Sequence, residues 1–231
     1  MAQALPHTIA LIGGTGPEGR GLALRFALAG HRVVIGSRQA ERGAEAASGL
    51  RATLREAGAQ TVQVSGTSNE LAVIEAEIAV LVVPYEAHRA TLEGLRERLA
   101  GKILVDAVVP MRFERGPRPV EVEAGSAAEE AALLLPDSRL IGAFHNLSAD
   151  VLLDPVAGVD ADILITGNDP EAKATVSALA ESIRGARAVD AGPLRFSRFV
   201  EGLTILLVGI NGRYKAHSSI RVSGLPAEAT G

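Results

Sequence analysis

Short apolar runs alternate with longer stretches in which apolar residues recur every three or four positions, and this alternation holds from Thr8 to Ile210. The short runs predict strands at Thr8–Ile12, Arg32–Gly36, Thr61–Val64, Ile78–Val83, Lys102–Val105, Leu140–Phe144, Asp162–Thr166 and Ala186–Asp190. An amphipathic helix follows the first strand. Further helices are predicted at Glu41–Ala57, Ser68–Glu77, Glu86–Leu99, Ala127–Leu135, Glu171–Ile183 and Ser197–Ile210. Met111–Ser126, with Pro117 and Pro119 around Arg118, reads as an exposed loop, and Gly224–Gly231 as a frayed tail. Strands that alternate with helices predict an α/β fold of Rossmann type, a doubly wound parallel sheet.

The turn after the first strand carries the sharpest chemistry. Gly14-Thr15-Gly16-Pro17-Glu18-Gly19 fits G-x-G-x-x-G, and Gly13 precedes it. Glycines here permit a tight turn and let backbone N–H groups approach a pyrophosphate at a helix N-terminus. The second strand ends in Ser37-Arg38, where an NAD enzyme would place an acidic residue on the ribose 2′-hydroxyl. A carboxylate repels a 2′-phosphate, whereas a hydroxyl and a guanidinium donate charge-assisted hydrogen bonds to it, and Arg42 lies on the same side. This pattern predicts an NADP site. The competing reading is a glycine-rich turn of some other α/β domain.

In a doubly wound sheet the ligand lies over the carboxyl ends of the strands. That rule selects Gly13–Gly19; Ser37, Arg38 and Arg42; Val83-Pro84-Tyr85; Ala107–Met111; and His145-Asn146-Leu147-Ser148-Ala149. Pro84 and Pro110 either flank a nicotinamide ring with a rigid apolar edge or simply end their strands. His145 either hydrogen-bonds a ring carbonyl or hydroxyl or is a structural histidine bonded to nearby backbone.

Composition narrows the classes. At 231 residues the chain is one large domain, or one with a smaller appendage, and its net charge of −4 calls for neither nucleic acid nor an anionic membrane. There is no cysteine, which excludes disulfides, thiolate metal sites and cysteine nucleophiles and fits a reducing cytoplasm. The start MAQALPHT does not read as a signal peptide, and no apolar run reaches membrane-spanning length. His88, His145 and His217 are isolated in sequence, so no metal site is expected. No Tyr-x-x-x-Lys pair offers a general base for an alcohol. Such a site suits hydride passage between two bound cofactors, where apposition supplies most of the catalysis.

The stretches IALIGGTGPEGRGLALRFALAGHRVVIGSR, VPYEAH, FHNLSA, DAGPLRFSRFVEGLT and INGRYKAHSSIRVSGL together resemble the NADPH-dependent reductases of coenzyme F420, over nearly the whole chain. The resemblance implies a homodimer that moves hydride between NADP(H) and the deazaflavin coenzyme F420. It places an NADP-binding Rossmann domain at 1–150 and a small C-terminal α/β domain at 151–231 that completes the cleft and the dimer interface. It assigns Gly13, Gly14, Thr15, Gly16, Pro17 and Glu18 to the phosphate turn and Ser37, Arg38 and Arg42 to the 2′-phosphate. Val83, Pro84, Tyr85, Val109 and Ala149 join the NADP site, with His145, Asn146 and Leu147 on the deazaflavin and His145 the one catalytic candidate. Partners are then small-molecule cofactors only. The chain departs from the family pattern at Pro17-Glu18, where a small or amide residue and then an apolar one are expected. A Glu18 carboxylate beside a pyrophosphate is unfavourable unless it points outward or binds backbone N–H groups. FHNLSA also carries Asn146 and Ser148 where some members have Thr and Pro. Arg198, Arg213, Lys215, His217 and Arg221 read either as contacts to an anionic acceptor tail or as a solvated face or dimer rim. Other readings are an NADPH reductase of a flavin, an imine or a ferric complex, and a redox sensor that binds NADPH without turnover.

Overall fold

A computed structural model describes residues 6–226; the rest of the tail expected to fray, 227–231, lies outside the described residues. The strands are β1 (Thr8–Ile12), β2 (Arg32–Ser37), β3 (Val64–Ser68), β4 (Ile78–Leu81), β5 (Ile103–Asp106), β6 (Met111–Phe113), β7 (Pro117–Pro119), β8 (Arg139–Gly142), β9 (Ala161–Gly167) and β10 (Ala186–Gly192). The helices are α1 (Pro17–Leu28), α2 (Ala40–Glu56), α3 (Asn69–Glu75), α4 (Tyr85–Leu99), α5 (Ala127–Leu134), α6 (Ala149–Leu153), α7 (Pro170–Glu181) and α8 (Ser197–Tyr214).

Eight strands form one sheet in the order β3-β2-β1-β4-β5-β8-β9-β10. From β3 to β8 every pairing is parallel, β9 runs antiparallel to β8, and β10 is parallel to β9. The chain leaves β1 toward β2 and β3 and then crosses back to β4 on the other side. The order therefore reverses between β1 and β4, which opens a crevice over their carboxyl ends.

Burial on both faces explains why the central strands are continuous apolar runs. Ile9 and Leu11 face the core under α1, whose Leu22 and Phe26 are fully buried, while Ile12, Ala79 and Leu81 pack on the α4 side with Leu92 and Leu99. The boundary expected at 150/151 falls inside α6. Beyond it, Leu152, Ile163, Ile165 and Val176 belong to the same core cluster as Ile9 and Leu22.

Arg25 shows how α6 is held. This buried guanidinium donates through Nε to Leu152 O at 2.8 Å and also to Ala157 O and Asp154 O, both at 2.6 Å. One cation on α1 thus satisfies carbonyls at and beyond the C-terminal end of a five-residue helix too short to persist alone.

Four local expectations are corrected. The third strand is Val64–Ser68 and not Thr61–Val64, because this edge strand is built from Ser, Gly and Thr and carries almost no apolar signal. Met111–Ser126 is not all loop, since β6 and β7 pair as an antiparallel hairpin. Arg115 at φ 52° and Gly116 at φ 131° turn it, and prolines are tolerated in a two-stranded ribbon. The strand expected at Leu140–Phe144 stops at Gly142, and Phe144 adopts φ 69° in the turn that follows. The junction of β8 with β9 departs from an all-parallel sheet.

Candidate active site

A cleft of about 1050 Å³ opens over β1 and β4. It gathers Gly13, Thr15, Gly16, Pro17, Glu18, Ser37, Arg38, Arg42, Val83, Pro84, Tyr85 and Val109 onto one wall system. Gly13 has φ 74°, and a Cβ there would run into the Val83 side chain, so only glycine brings the phosphate turn this close to the end of β4. Its N–H donates to Asn69 Oδ1 at 3.0 Å. Gly14 lies behind the surface, its N–H shared between Leu11 O and Gly36 O at 3.1 and 3.0 Å. The N-terminus of α1 has Gly16 at the cap position and no side-chain cap, leaving its first-turn N–H groups for an anion.

At the β2 end, Ser37 Oγ accepts the Gln39 N–H at 3.3 Å, which leaves its own hydrogen to donate. Arg38 and Arg42 line the same end of the cleft. At the other end stand Val83, Pro84, Val108 and Val109, an apolar edge suited to a ring. Pro110, in contrast, is buried off the cleft wall.

The loop after β5 is pinned from below. Asp106 is fully buried; its Oδ1 accepts the Val108 N–H at 2.9 Å and its Oδ2 faces His88 Nε2 at 2.8 Å. The other ring nitrogen of His88 faces Glu130 Oε2 at 2.9 Å, and Arg89 closes the chain on Glu130 at 2.7 Å. Burial opposes a charge on His88, but the bonds to Asp106 and Glu130 outweigh it and raise its pKa, so both ring nitrogens act as donors. Tyr85 stacks on the His88 ring at 5.8 Å, tying the cleft wall to this network. Glu201, on α8, accepts the Ala127 and Ala128 N–H groups at 3.0 and 3.2 Å, and burial pushes its carboxyl up to about 8.

A second cavity of about 510 Å³ adjoins, lined by Asn146, Leu147, Ser148 and Ala149 on one side and by Thr204, Leu207, Val208 and Asn211 of α8 on the other. Ala149, expected with NADP, faces this cavity and not the first. Phe113, on the hairpin, borders both. Asn146 Nδ2 donates to Asp162 O at 2.8 Å, while its Oδ1 is buried without a partner. His145, expected against the acceptor, lines neither cavity: its ring is buried beside Gly142, and both nitrogens lack partners among the described residues. Burial lowers its pKa to about 4, so it is neutral at physiological pH. Six buried side-chain polar atoms have no partner among the described residues, and four of them belong to Glu18, His145 and Asn146. Of these, Glu18 belongs to the first cavity and Asn146 to the second, where a bound group can supply the partner the protein does not.

Of the C-terminal cations, Arg198 binds Glu129 at 3.0 Å, and Arg221 binds Asp160 and the buried Asp162 at 2.6 and 2.9 Å. Those two serve the fold. His217 borders the second cavity and meets Ser148 Oγ at 3.2 Å.

Sequence comparison decides the family. A family profile described as NADP oxidoreductase, coenzyme F420-dependent, matches residues 8–110. An F420-dependent NADP reductase of Methanothermobacter marburgensis is 43% identical over 94% of this chain and 99% of its own length. Another, from Methanothermobacter thermautotrophicus, is 40% identical over 99% and 100%. The chain belongs to the coenzyme F420-dependent NADP oxidoreductase family. A solved structure of a candidate F420-dependent NADP-reductase from Arthrobacter sp. FB24 superposes with a TM-score of 0.77 at 28% identity, over 92% of this chain and 97% of that one.

The pattern at the carboxyl ends of the strands did not single out Asn69, which lines the cleft and anchors Gly13, or Arg112 and Phe113 of the hairpin, though it did reach Met111. The signal for Asn69 was its place next to Ser68, the true carboxyl end of β3. Among the described residues, no group of three His, Asp or Glu gathers as a metal site, and no helix is long and apolar enough to cross a membrane.

Proposed function

We propose that this protein transfers hydride between NADP(H) and coenzyme F420, with the nucleotide in the cleft over β1 and β4 and the deazaflavin in the cavity against α8. The junction at Phe113 carries this reading, because a crevice with an open helix N-terminus and two arginines at its far end leads to a second cavity at its apolar end. When both are bound, the two rings supply the redox chemistry as a hydride passing between carbon atoms. The protein's task is placement and exclusion of water. N–H groups of α1 hold phosphate, Ser37, Arg38 and Arg42 hold the 2′-phosphate, and Val83, Pro84, Tyr85 and Val109 seat the nicotinamide on a dry edge. Asp106 and His88 keep the loop carrying Val109 at its height. Asn146, Leu147 and Ala149 border the acceptor, and His145, buried off both walls, backs the turn that carries them.

Two finer features go with this reading. The outer face of α8 carries Phe199 and Leu206, 67% and 59% exposed, with Leu203 and Ile210 between and beyond them, a spacing that suits a seam with a second copy. A cysteine-free chain working between two soluble cofactors belongs in the cytoplasm.

The test is direct. NADPH stereospecifically labelled with deuterium is mixed with F420 and, separately, with FMN, and both acceptors are followed by absorbance. Label recovered on the deazaflavin without exchange with water is the expected result. Reduction of FMN with an inert deazaflavin overturns the acceptor assignment, and label lost to water overturns direct transfer.

A further inference from the structure

Glu18 stands near the start of α1, in the first turn, where N–H groups face the cleft. An acid here would be harmless if it turned to solvent, or would blunt the anion site if it folded back to cap the helix. It does neither. The helix has no side-chain cap, and Glu18 Oε1 is buried with no hydrogen-bond partner among the described residues. An ionised carboxylate in that position would be a partly buried charge without a counter-ion, which the surroundings disfavour.

The charged or titratable groups that share the cleft are Arg38 and Arg42 after β2, Tyr85 and Glu86 at the start of α4, and Arg112 on the hairpin; α6 contributes none to it. Arg112 is engaged with Glu114 at 3.3 Å. Burial alone, with no contribution from a neighbouring charge, lifts the Glu18 carboxyl to about 8. With the carboxyl raised in this way, the protonated side chain offers one O–H donor that no group among the described residues engages.

We propose that Glu18 takes part in nucleotide binding as a neutral carboxylic acid, its O–H donating to a pyrophosphate oxygen beside the first-turn N–H groups of α1. The proposal rests on the reading of this cleft as the NADP site. It converts an apparent electrostatic fault into a donor, and it makes nucleotide affinity depend on pH. Ionisation of Glu18 removes the donor and places a negative charge against the phosphates, so affinity falls as pH rises through the carboxyl's titration. Binding above that point must take up a proton.

The experiment measures the Kd for NADPH from pH 7 to 9.5 by nucleotide fluorescence, in the wild type and in Glu18→Gln, whose amide keeps a donor and does not titrate. The 2′-phosphate has its second pKa near about 6, so its charge changes little over this range. Wild-type Kd is expected to rise about tenfold between pH 7 and 9, and that of Glu18→Gln by less than about twofold. Calorimetry at pH 8.5 in two buffers of different ionisation enthalpy is expected to report proton uptake for the wild type and none for the variant. A flat wild-type profile overturns the proposal. So does a Glu18→Gln profile that falls in parallel, or a variant that binds much more tightly at pH 7. If Arg38→Ala/Arg42→Ala loses the preference for NADPH over NADH while Glu18→Gln keeps the wild-type profile, Glu18 alone is misassigned. Failure of both proteins to bind NADPH at any pH overturns the NADP reading and this proposal with it.

Discussion

Phe144 and His145 illustrate how much a single turn can set. Phe144 is a bulky residue at φ 69°, a conformation that non-glycine residues adopt at a cost, and its ring is fully buried edge-on to Phe26 at 5.6 Å. Packing of that ring holds the strained turn in place. The turn in turn sends His145 inward, where its two nitrogens have no partner and burial keeps it neutral. A core histidine with a structural role would have its nitrogens bonded; this one does not, so removing the imidazole sacrifices no hydrogen bond within the protein. His145→Leu is therefore expected to leave the melting temperature and the NADPH affinity close to wild type. Acceptor binding should weaken by less than about fivefold, below the worth of a direct hydrogen bond of about 1–3 kcal/mol, because the ring lines neither cavity and acts only through the turn that carries Asn146. Titrating F420 and NADPH separately, alongside thermal melts, checks both halves. A large drop in melting temperature with unchanged kinetics would assign the residue to the core.

Elements differ in how plainly the chain announces them. β1, β2, β4 and β5 were legible because strands buried on both faces must be apolar throughout, and the glycine turn and Ser37-Arg38 were legible because they sit at fixed offsets from those strands. β3 was displaced because an edge strand of Ser, Gly and Thr has no apolar alternation, and Asn69 was lost with it. The hairpin and α6 were silent for another reason. Each is stabilised by contacts distant in sequence, α6 by Arg25 and the hairpin's second strand by α8, so local periodicity carries no trace of them. α8 was legible as a helix, but its exposed stripe could be recognised only once the inner face was known to be Val200, Glu201, Thr204 and Leu207. That stripe has a consequence at the same scale. Phe199→Asp/Leu206→Asp replaces two exposed apolar residues and touches no buried position, so the fold should survive while self-association fails. Sedimentation or light scattering is expected to show a dimer for the wild type and a monomer for the double variant; a wild-type monomer would remove the homodimer from the proposed function.

Across the whole molecule, buried ionisable groups set how stability responds to pH, and their signs oppose one another below neutrality. Glu18 and Glu201 are raised to about 8, so between pH 4.5 and 8 the fold keeps protons that the unfolded chain has released, and stability falls as pH rises. His145, lowered to about 4 by burial, and His31, lowered by burial and by His7, act the other way, because the unfolded chain binds their protons up to the ordinary histidine value. From about pH 4.5 to 6.5 these contributions oppose one another, so stability is expected to change less steeply there than above 6.5. Above 6.5 the histidines of lowered pKa have nothing left to contribute, whereas His88, raised by its two carboxylates against the opposing effect of burial, joins the glutamates in losing stability with rising pH. The nucleotide-free protein should therefore lose on the order of a few kcal/mol between pH 6.5 and 8. The acid limb lies lower. Asp162 is held at about 2, where burial is outweighed by Arg187, the Val222 N–H and Arg221, so the stability it contributes is full above the ordinary carboxylate value and lost only as pH falls toward 2. Chemical denaturation at half-unit intervals tests the shape, and Glu201→Gln isolates one source of the decline. The variant gives up one of the acceptors now facing Ala127 and Ala128, at a cost of about 1 kcal/mol near pH 6.5, but it should decline less steeply than the wild type above that pH. A wild-type stability that climbs from pH 6.5 to 8, or a variant that parallels it, would mean that these carboxyls are ionised in the folded protein.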